Sequence, residues 1–425
     1  LPDECPAADL RDENIIIMKK IIFFLQLTVL LVFTSCHGDD PVPAPTPQPP
    51  AEAENTIFVY MPWSGDSGNL YSFFLNNLAD IRQAVQTQGG LDGRHLVVFI
   101  SQTPSKGALI NIEYRQGRCV DDTVAVFDNT RPGLQPNSAS WITTLLKRVQ
   151  EYAPARSYSM IVGCHGLGWL PGNYGVQSRH VRSVSGKHET ERLPLTRWFG
   201  GERYKTDISA LDKGIEQSGI GRMQYILFDD CYMSTVEVAY ELRNSTRHII
   251  ACPTEIMAHG MPYDRLWAEL SKRVPDYGRI CDEFYNFYVS YTSPYGTISV
   301  IDCSQVEGMV GVMRDINRSG NLVTVPENDL QVMDGYQPSI FFDMGDYVSK
   351  TAQNEPELLA RFTRQLALLV PYKRNTTSFF TSVRDPENGD IIPISTFSGI
   401  TISDPSNNQK VKNALDGNSY YKATH

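Results

Sequence analysis

Residues 225–243 read YILFDDCYMSTVEVAYELR, and this stretch contains the pattern from which we predict the fold. A short apolar run ends at Phe228 in front of two acids and Cys231, and apolar residues at helical spacing follow from Thr235 to Arg243. An apolar run of this kind without polar alternation is typical of a strand that is buried on both faces. The stretch therefore predicts a buried strand, a turn that carries Cys231, and a helix.

The same alternation of elements recurs along the chain. Further apolar runs lie at residues 56–60, 95–100, 159–163 and 248–251, and helical spacing is found over 69–88 and 140–152. Strands that alternate with helices predict an α/β fold, with a mainly parallel sheet covered by helices on both sides as a three-layer α/β/α sandwich. In such a sheet the functional site lies beyond the carboxyl ends of the strands.

A second strand end carries the other reactive side chain. The run 159–163 leads into His165 and Gly166, where glycine permits a sharp turn. A cysteine acts as a nucleophile at neutral pH when an imidazole takes its proton, so His165 and Cys231 together predict a catalytic dyad. Each signal alone is weak, because a cysteine at a strand end is more often a buried structural thiol. His259, in a loop that follows Cys231, is the alternative base.

Composition excludes one class of function and limits another. The chain has 425 residues, with 38 Lys and Arg against 48 Asp and Glu, a formal net charge of -10. Nucleic-acid binding is excluded, because phosphates require clustered Lys and Arg and the chain has no basic runs. The eight cysteines show no CxxC pair and no zinc spacing, so we expect most of those in the folded part to be buried thiols.

The N-terminal region has the order of an export signal. Residues 18–35 contain two lysines after Met18, an apolar run over 21–33, and the small residues Thr34 and Ser35 directly before Cys36. This order is typical of a secretory signal peptide. Cys36 then resembles the lipobox cysteine of bacterial lipoproteins, which receives the lipid and becomes the mature N-terminus. The alternative is an ordinary cleaved signal peptide in which this cysteine is incidental. Because a signal peptide acts at the extreme N-terminus, we expect translation to begin at Met18, with residues 1–17 a mis-called start.

Two further segments follow the signal. Residues 36–54 include the run PVPAPTPQPPAEAE, and a Pro-rich stretch of this kind is a stiff, extended spacer. Residues 55–425 contain no second low-complexity break, so we interpret them as one catalytic domain. The expected protein is an exported bacterial lipoprotein of the outer membrane, held to the membrane by its N-terminal lipid at the cell surface or the periplasmic face.

The sequence also resembles a known family across roughly residues 55–425. The resemblance is carried by FDDCYMSTVEVAYELR at 228–243, VGCHG at 162–166, IACPTEIMAHGMPYD at 250–264 and FSGITISDP at 397–405. These segments look like the clostripain-like cysteine peptidases, relatives of caspases, gingipains and legumains. The resemblance implies a caspase-like α/β sandwich and a His/Cys dyad at His165 and Cys231.

The resemblance also implies roles for residues beside the dyad. In the clostripain-like group the acid two residues before the nucleophile, here Asp229, lies at the base of the primary specificity pocket and would favour Arg or Lys. The alternative is that Asp229 caps the following helix or bonds to the backbone. Asp230 replaces the small residue of the family pattern and would raise the pKa of the cysteine if it pointed inward. The expected oxyanion-hole donors are the backbone N–H groups of Gly166 and Cys231.

Between the dyad residues, the polar segment 177–206 is either a solvated surface loop or a self-cleaved activation loop, as in several family members. Its basic residues are Arg179, Arg182, Lys187, Arg192, Arg197, Arg203 and Lys205. Some relatives require calcium, but the sequence has no EF-hand loop and no dense group of acids, so we predict no cofactor, with calcium left as an alternative that the sequence does not support. The acids Asp121, Asp122, Asp343 and Asp346 are expected to be surface charges or caps.

These observations predict a cysteine endopeptidase, a hydrolase whose substrates are proteins or peptides with basic residues. Two alternatives remain open from the sequence. One is a catalytically silent surface lipoprotein of the same fold that binds a protein or glycan partner. The other is a different cysteine hydrolase or transferase built on a similar sheet.

Overall fold

The computed structural model describes residues 52–65, 69–128, 138–171, 205–385 and 388–425. They belong to one compact unit that extends over Pro50–His425. The expected mis-called start (1–17), signal peptide (18–35) and Cys36 lie outside the described residues, as do most of the tether (36–54) and of the segment 177–206.

The described residues contain thirteen strands. They are β1 (Thr56–Met61), β2 (His95–Thr103), β3 (Lys106–Arg115), β4 (Arg118–Asp128), β5 (Tyr158–Val162), β6 (Ile226–Phe228), β7 (His248–Ala251), β8 (Thr297–Asp302), β9 (Phe342–Asp343), β10 (Tyr372–Asn375), β11 (Ser378–Thr381), β12 (Asp390–Pro393) and β13 (Thr401–Ile402). Nine of them form one sheet in the order β10-β8-β7-β6-β5-β1-β2-β3-β4, and β11 with β12 and β13 with β9 form two small antiparallel pairs.

The five central strands of the sheet, β7-β6-β5-β1-β2, are parallel. They are the five strands that the apolar runs predict, with ends that differ by at most three residues. Strands β1, β5 and β6 are buried at every position, as expected when helices cover both faces of a sheet. The predicted α/β fold with a mainly parallel sheet is therefore confirmed.

The edges of the sheet were not predicted. Strands β3 and β4 extend the sheet beyond β2, and β8 and β10 extend it beyond β7, all in antiparallel pairs. Strand β4 has no fully buried position, and its polar residues interrupt the apolar ones. Such an edge strand gives no continuous apolar run, so its pattern is not that of a buried strand.

Eleven α-helices occur in the described residues. They are α1 (Tyr71–Gln88), α2 (Ala139–Tyr152), α3 (Ile208–Ser218), α4 (Val236–Leu242), α5 (Tyr263–Leu270), α6 (Tyr277–Tyr288), α7 (Val306–Arg318), α8 (Met344–Thr351), α9 (Pro356–Leu369), α10 (Gln409–Leu415) and α11 (Ser419–Thr424). The three helices expected from periodicity correspond to α1, α2 and α4. None of the helices in the described part of the chain is long and apolar enough to cross a membrane.

The helices form two groups, and the strand order explains why. In the first group, α5 packs against both α1 and α6. In the second group, α3 packs against both α2 and α4. The β1-α1-β2 crossover proceeds towards the β4 edge of the sheet, while β5-α3-β6 and β6-α4-β7 proceed towards the β10 edge. Because parallel crossovers are right-handed, this reversal places the two groups on opposite faces and produces the three-layer sandwich.

The reversal also marks the edge of the sheet at which a ligand site is expected. The strand order changes direction between β1 and β5, and ligands of open α/β sheets bind beyond the carboxyl ends of the strands at such a switch point. Strands β5 and β6, which lead into His165 and Cys231, end at this edge.

Candidate active site

His165 and Cys231 follow neighbouring strands at matching positions. Strands β5 and β6 pair in parallel with Val162 opposite Phe228, and each candidate residue lies three positions beyond its member of this pair. The carboxyl ends of both strands therefore present the two side chains at one edge. His165 is 1% exposed and Cys231 is fully buried.

Contacts on both sides of His165 join its loop to the Cys231 loop. The backbone N–H of Cys164 donates to Oδ1 of Asp230 at 2.5 Å. On the other side, a Cβ at Gly166 would overlap the carbonyl oxygen of Cys231 and lie 3.0 Å from its nitrogen. Because the residues that flank His165 contact Asp230 and Cys231, the two predicted dyad residues lie in loops that pack directly on each other.

The orientation of Asp230, which the sequence left open, is towards the His165 loop. Besides the bond from the Cys164 N–H, its Oδ2 lies 3.8 Å from the Cys164 sulfur. Its charge is nevertheless one of the smaller causes that raise the pKa of Cys231. Asp230 thus connects the two loops while it disfavours the thiolate.

The sulfur of Cys231 lies against the segment 252–256, which follows β7. The N–H of Ile256 donates to the sulfur at 3.4 Å, and the N–H of Tyr232 donates to the carbonyl oxygen of Thr254 at 3.1 Å. Burial, followed by the charge of Glu255, raises the pKa of the Cys231 thiol well above its usual range, whereas the Ile256 N–H lowers it. Burial and the nearby acids therefore disfavour the thiolate in this conformation, so its formation requires a group that accepts the proton.

A sharp turn connects the cysteine to the next helix. Tyr232 has a φ of 60°, in the left-handed region that few non-glycine residues adopt. Helix α4 then begins after Thr235, whose Oγ1 accepts a hydrogen bond from the N–H of Val238 at 3.1 Å. The predicted sequence of strand, turn and helix is confirmed.

Asp229 is fully buried, and its carboxylate binds the segment after β7. Its Oδ1 accepts from the N–H of Met261 at 2.9 Å, and its Oδ2 accepts from the hydroxyl of Tyr263 at 3.0 Å. A bond to the backbone, one of the alternatives that the sequence left open for Asp229, is therefore observed. The alternative of a cap on α4 is wrong, because Thr235 caps that helix.

The rival base His259 has an aromatic environment. Its ring stacks on Phe287 with centroids 4.7 Å apart and lies 5.5 Å from Tyr291. The structure thus places His165 in the loop that packs on Cys231, and His259 beside helix α6 and the residues that follow it. His95 and His248 begin strands, as expected.

The other cysteines and acids have structural roles. The six described cysteines form no disulfide with one another, and all but the half-buried Cys119 are buried, which confirms the expectation for most of them. Asp121 is a surface charge that pairs with Arg82, whereas Asp343 is buried and accepts from the N–H of Asp346 as the cap of α8. In the part of the chain that the structure describes, no three or more His, Cys, Asp or Glu side chains lie together in a way that could hold a metal ion.

Sequence reasoning missed Glu255, which lies between Thr254 and Ile256 next to the sulfur. It is 3% exposed and accepts hydrogen bonds from several segments. An acid within the apolar stretch 249–258 is the signal that could have identified it, because buried carboxylates usually have a specific partner or function.

The sequence of this chain matches a known protein family. The sequence pattern of the clostripain family, Peptidase_C11, matches residues 59–354, more than half of the chain. The chain belongs to the clostripain family. It is accordingly a cysteine-type peptidase, a hydrolase, and the caspase-like fold that the sequence implied is confirmed.

Solved structures of other proteins support this assignment. A secreted C11 cysteine protease from Bacteroides thetaiotaomicron, "iotapain", is 40% identical, with a TM-score of 0.76 over 88% of this chain and 100% of that one. An inactive zymogen C11 protease from Parabacteroides distasonis is 24% identical, with a TM-score of 0.71 over 88% of this chain and 99% of that one, and shows the fold alone. Among curated proteins no match was found.

Proposed function

We propose that this clostripain-family chain is a cysteine endopeptidase whose catalytic dyad is His165 and Cys231. The observation that carries the proposal is the direct packing of the two loops, through Cys164 on Asp230 and Gly166 on Cys231. Both residues follow parallel strands at the edge of the sheet where α/β enzymes bind their ligands.

In the proposed mechanism, the imidazole of His165 takes the thiol proton as the Cys231 sulfur attacks the carbonyl carbon of the scissile peptide bond. The Ile256 N–H favours the developing thiolate, because it lowers the pKa of the sulfur against the effect of burial. The N–H groups of Gly166 and Cys231 stabilise the oxyanion. The imidazolium then protonates the leaving amine, and water, deprotonated by the imidazole, hydrolyses the thioester to release the acid and restore the thiol.

For specificity, we propose that Asp229 favours substrates with Arg or Lys before the scissile bond. Asp229 lies two residues before the proposed nucleophile and is fully buried. A buried carboxylate attracts a substrate cation more strongly than an exposed one would. A guanidinium can bind a carboxylate with two parallel hydrogen bonds, so we expect Arg to be preferred over Lys.

For activation, the proposal includes self-cleavage between the dyad residues. The segment 177–206 is rich in Arg and Lys, which would make it a substrate of the enzyme's own specificity. The support is the composition of this segment, which lies outside the described residues except for its last two positions.

For location, we propose an exported lipoprotein of the outer membrane that is lipidated on Cys36. The order of residues 18–36 supports a lipoprotein signal, and the 40% identical relative is described as secreted. Labelling with a radioactive fatty acid tests the anchor, because Cys36→Ala should abolish incorporation while Cys119→Ala, elsewhere in the chain, should not.

The test of the dyad uses the full chain in detergent with fluorogenic peptides that end in Arg, Lys, Ala or Asp. We expect release after Arg and Lys that is lost in Cys231→Ala and in His165→Ala, and a selective loss of basic-peptide cleavage in Asp229→Asn. The purified Cys231→Ala chain should remain intact where the unmutated chain is cut within 177–206. Retention of activity in His165→Ala would contradict the dyad, and equal cleavage after Ala and Arg would contradict the pocket.

A further inference from the structure

Glu255 is a buried carboxylate that collects hydrogen bonds from two separate parts of the fold. Its Oε1 accepts from the hydroxyl of Tyr232 at 2.7 Å and from the hydroxyl of Thr381. Its Oε2 accepts from the N–H and the hydroxyl of Ser382, at 3.3 and 3.2 Å. The donors come from the turn that follows Cys231 and from the end of β11, and all four are neutral groups.

The backbone next to Glu255 contacts the nucleophile itself. The peptide unit that joins Glu255 to Ile256 supplies the N–H that lies 3.4 Å from the Cys231 sulfur. One residue earlier, the carbonyl oxygen of Thr254 accepts the N–H of Tyr232 at 3.1 Å. The orientation of this peptide unit therefore depends on where the Glu255 side chain is held.

The turn that Glu255 holds is one that needs support. Tyr232 is in the left-handed region of φ, which is unfavourable for a non-glycine residue and persists only where its surroundings maintain it. Its side chain is fully buried, stacks on Phe341 at 5.1 Å between centroids, and ends at the Glu255 carboxylate. A buried hydrogen bond to a charged acceptor is stronger than a neutral one and keeps the turn in this conformation.

We propose that Glu255 is a positioning residue of the peptidase, which holds the Ile256 N–H and the Tyr232 turn against the Cys231 sulfur. The inference rests on the proposed role of Cys231 as the nucleophile. It also connects the nucleophile to the hairpin of β11 and β12, because Thr381 and Ser382 bind the same carboxylate.

The side chain has two effects on the sulfur, and substitutions separate them. The negative charge of Glu255 opposes formation of the thiolate, whereas its anchoring maintains an N–H that favours the thiolate. Glutamine keeps an acceptor for Tyr232 and Thr381 but removes the charge, and its amide donors face the N–H of Ser382. Alanine removes the anchor and the charge together.

The experiment compares Glu255→Gln, Glu255→Ala and the control Glu357→Gln, an exposed glutamate at the start of α9. Two quantities are measured on the full chain: kcat and KM with an Arg-ending reporter peptide, and the pH dependence of Cys231 alkylation by iodoacetamide, followed by peptide mass spectrometry. For Glu255→Gln we expect the midpoint of alkylation to move to lower pH by about one unit, because a nearby charge is removed. For Glu255→Ala we expect kcat to fall about 100-fold at similar KM, the effect of a misplaced catalytic group.

Each outcome bears on the inference. A folded Glu255→Gln chain with the kcat and the alkylation profile of the unmutated protein overturns it. If Glu255→Gln does not fold, Tyr232→Phe is the substitute, because it removes one of the four donors and keeps the charge of Glu255. For this variant we expect a lower kcat and no shift of the alkylation midpoint to lower pH. An unchanged kcat overturns the inference. If the unmutated chain cleaves no peptide, the proposed function fails, whereas the alkylation profile of Glu255→Gln still tests the contact with the sulfur.

Discussion

At Gly166 the packing of the candidate site leaves no space for a side chain. Its α-carbon packs on the backbone of Cys231, so a methyl group at this position would overlap the Cys231 carbonyl oxygen and the Cβ of Asp230. The sequence suggested that glycine serves a turn here. In the structure the requirement is space, because the His165 loop and the Cys231 loop approach each other through this residue.

The first prediction follows from that close approach. Gly166→Ala should push the His165 loop away from Cys231 and lower kcat/KM for an Arg-ending reporter about 100-fold. The matched control is Gly311→Ala in the middle of α7, where an added Cβ meets no atom of the described residues within 4 Å. The control should retain activity and gain about 0.5–1 kcal/mol of stability, because alanine favours a helix over glycine. An active Gly166→Ala enzyme would show that the loops need not touch.

Asp229 and Asp230 illustrate what residue identity alone leaves open. The sequence places two acids directly before Cys231 but cannot assign the directions of their side chains, since adjacent side chains in a turn can point to different elements. In the structure Asp229 binds Met261 and Tyr263, and Asp230 binds Cys164. Their different roles come from partners that are distant in sequence.

At the scale of elements, α4 continues directly from the turn that follows Cys231, and its N-cap is buried. Thr235 is fully buried, and its Oγ1 accepts the N–H of Val238. The backbone of the same residue forms an isolated bridge with Thr401 beside β9. The start of α4 is therefore held both by its own cap and by the C-terminal part of the chain.

The second prediction tests this cap. Thr235→Val keeps the shape of the side chain but leaves the Val238 N–H without its acceptor, so we expect a loss of about 1–2 kcal/mol in the free energy of unfolding. Thr235→Ser keeps the oxygen and loses only a methyl group, and it serves as the comparison. Denaturation in urea measures both variants. A Val variant as stable as the unmutated protein would mean that the cap contributes nothing here.

The central elements were predictable because each satisfies a local rule. Strands β1, β2, β5, β6 and β7 are continuous apolar runs, and α1 shows regular helical spacing. The edge strands lack that signal, since β4 alternates exposed and half-buried residues. Their pairing depends on neighbours in space, which a local pattern does not contain.

At the scale of the whole molecule, a buried acidic pair joins α4 to the C-terminal part of the chain. Within the described residues, Glu237 Oε2, both carboxylate oxygens of Asp404 and the hydroxyl of Tyr420 are buried without a hydrogen-bond partner. Burial raises the pKa of Glu237 to about 7. Burial and the charge of Glu237 raise the pKa of Asp404 to about 8. Tyr347 and His425 also face this pair.

The third prediction concerns stability against pH. The ordinary pKa values of Glu237 and Asp404, 4.5 and 3.8, apply in the unfolded chain, so the folded state binds these protons more tightly. Their contribution to stability is complete below about pH 4 and is lost as pH rises through about 7 and 8. Because of this pair, we expect the free energy of unfolding to be lower at pH 8.5 than at pH 6. Asp404→Asn, which mimics the protonated acid, should reduce that difference.

Urea denaturation at the two pH values measures this effect, with Asp390→Asn in the surface pair with Arg384 as the control. The control should change the pH dependence little, because its carboxylate is partly exposed. If Asp404→Asn retains the full pH dependence of the unmutated chain, the buried pair does not titrate as inferred. The pair lies near the site, since Glu237 Oε1 accepts the N–H of Ser403 and the hydroxyl of Ser403 accepts from Trp169 in the His165 loop.

The class of fold, the central strands and the two residues proposed as the dyad could be predicted from sequence, because apolar runs and strand-end chemistry are local properties. The directions of Asp229 and Asp230, the contact of Ile256 with the Cys231 sulfur and the position of Glu255 beside it could not, because they depend on how distant segments pack. Those features join segments that are 23 to 127 residues apart, such as Glu255 with Tyr232 and with Ser382. Such contacts depend on how the chain packs, because burial and hydrogen-bond partners are set by the elements that meet in space.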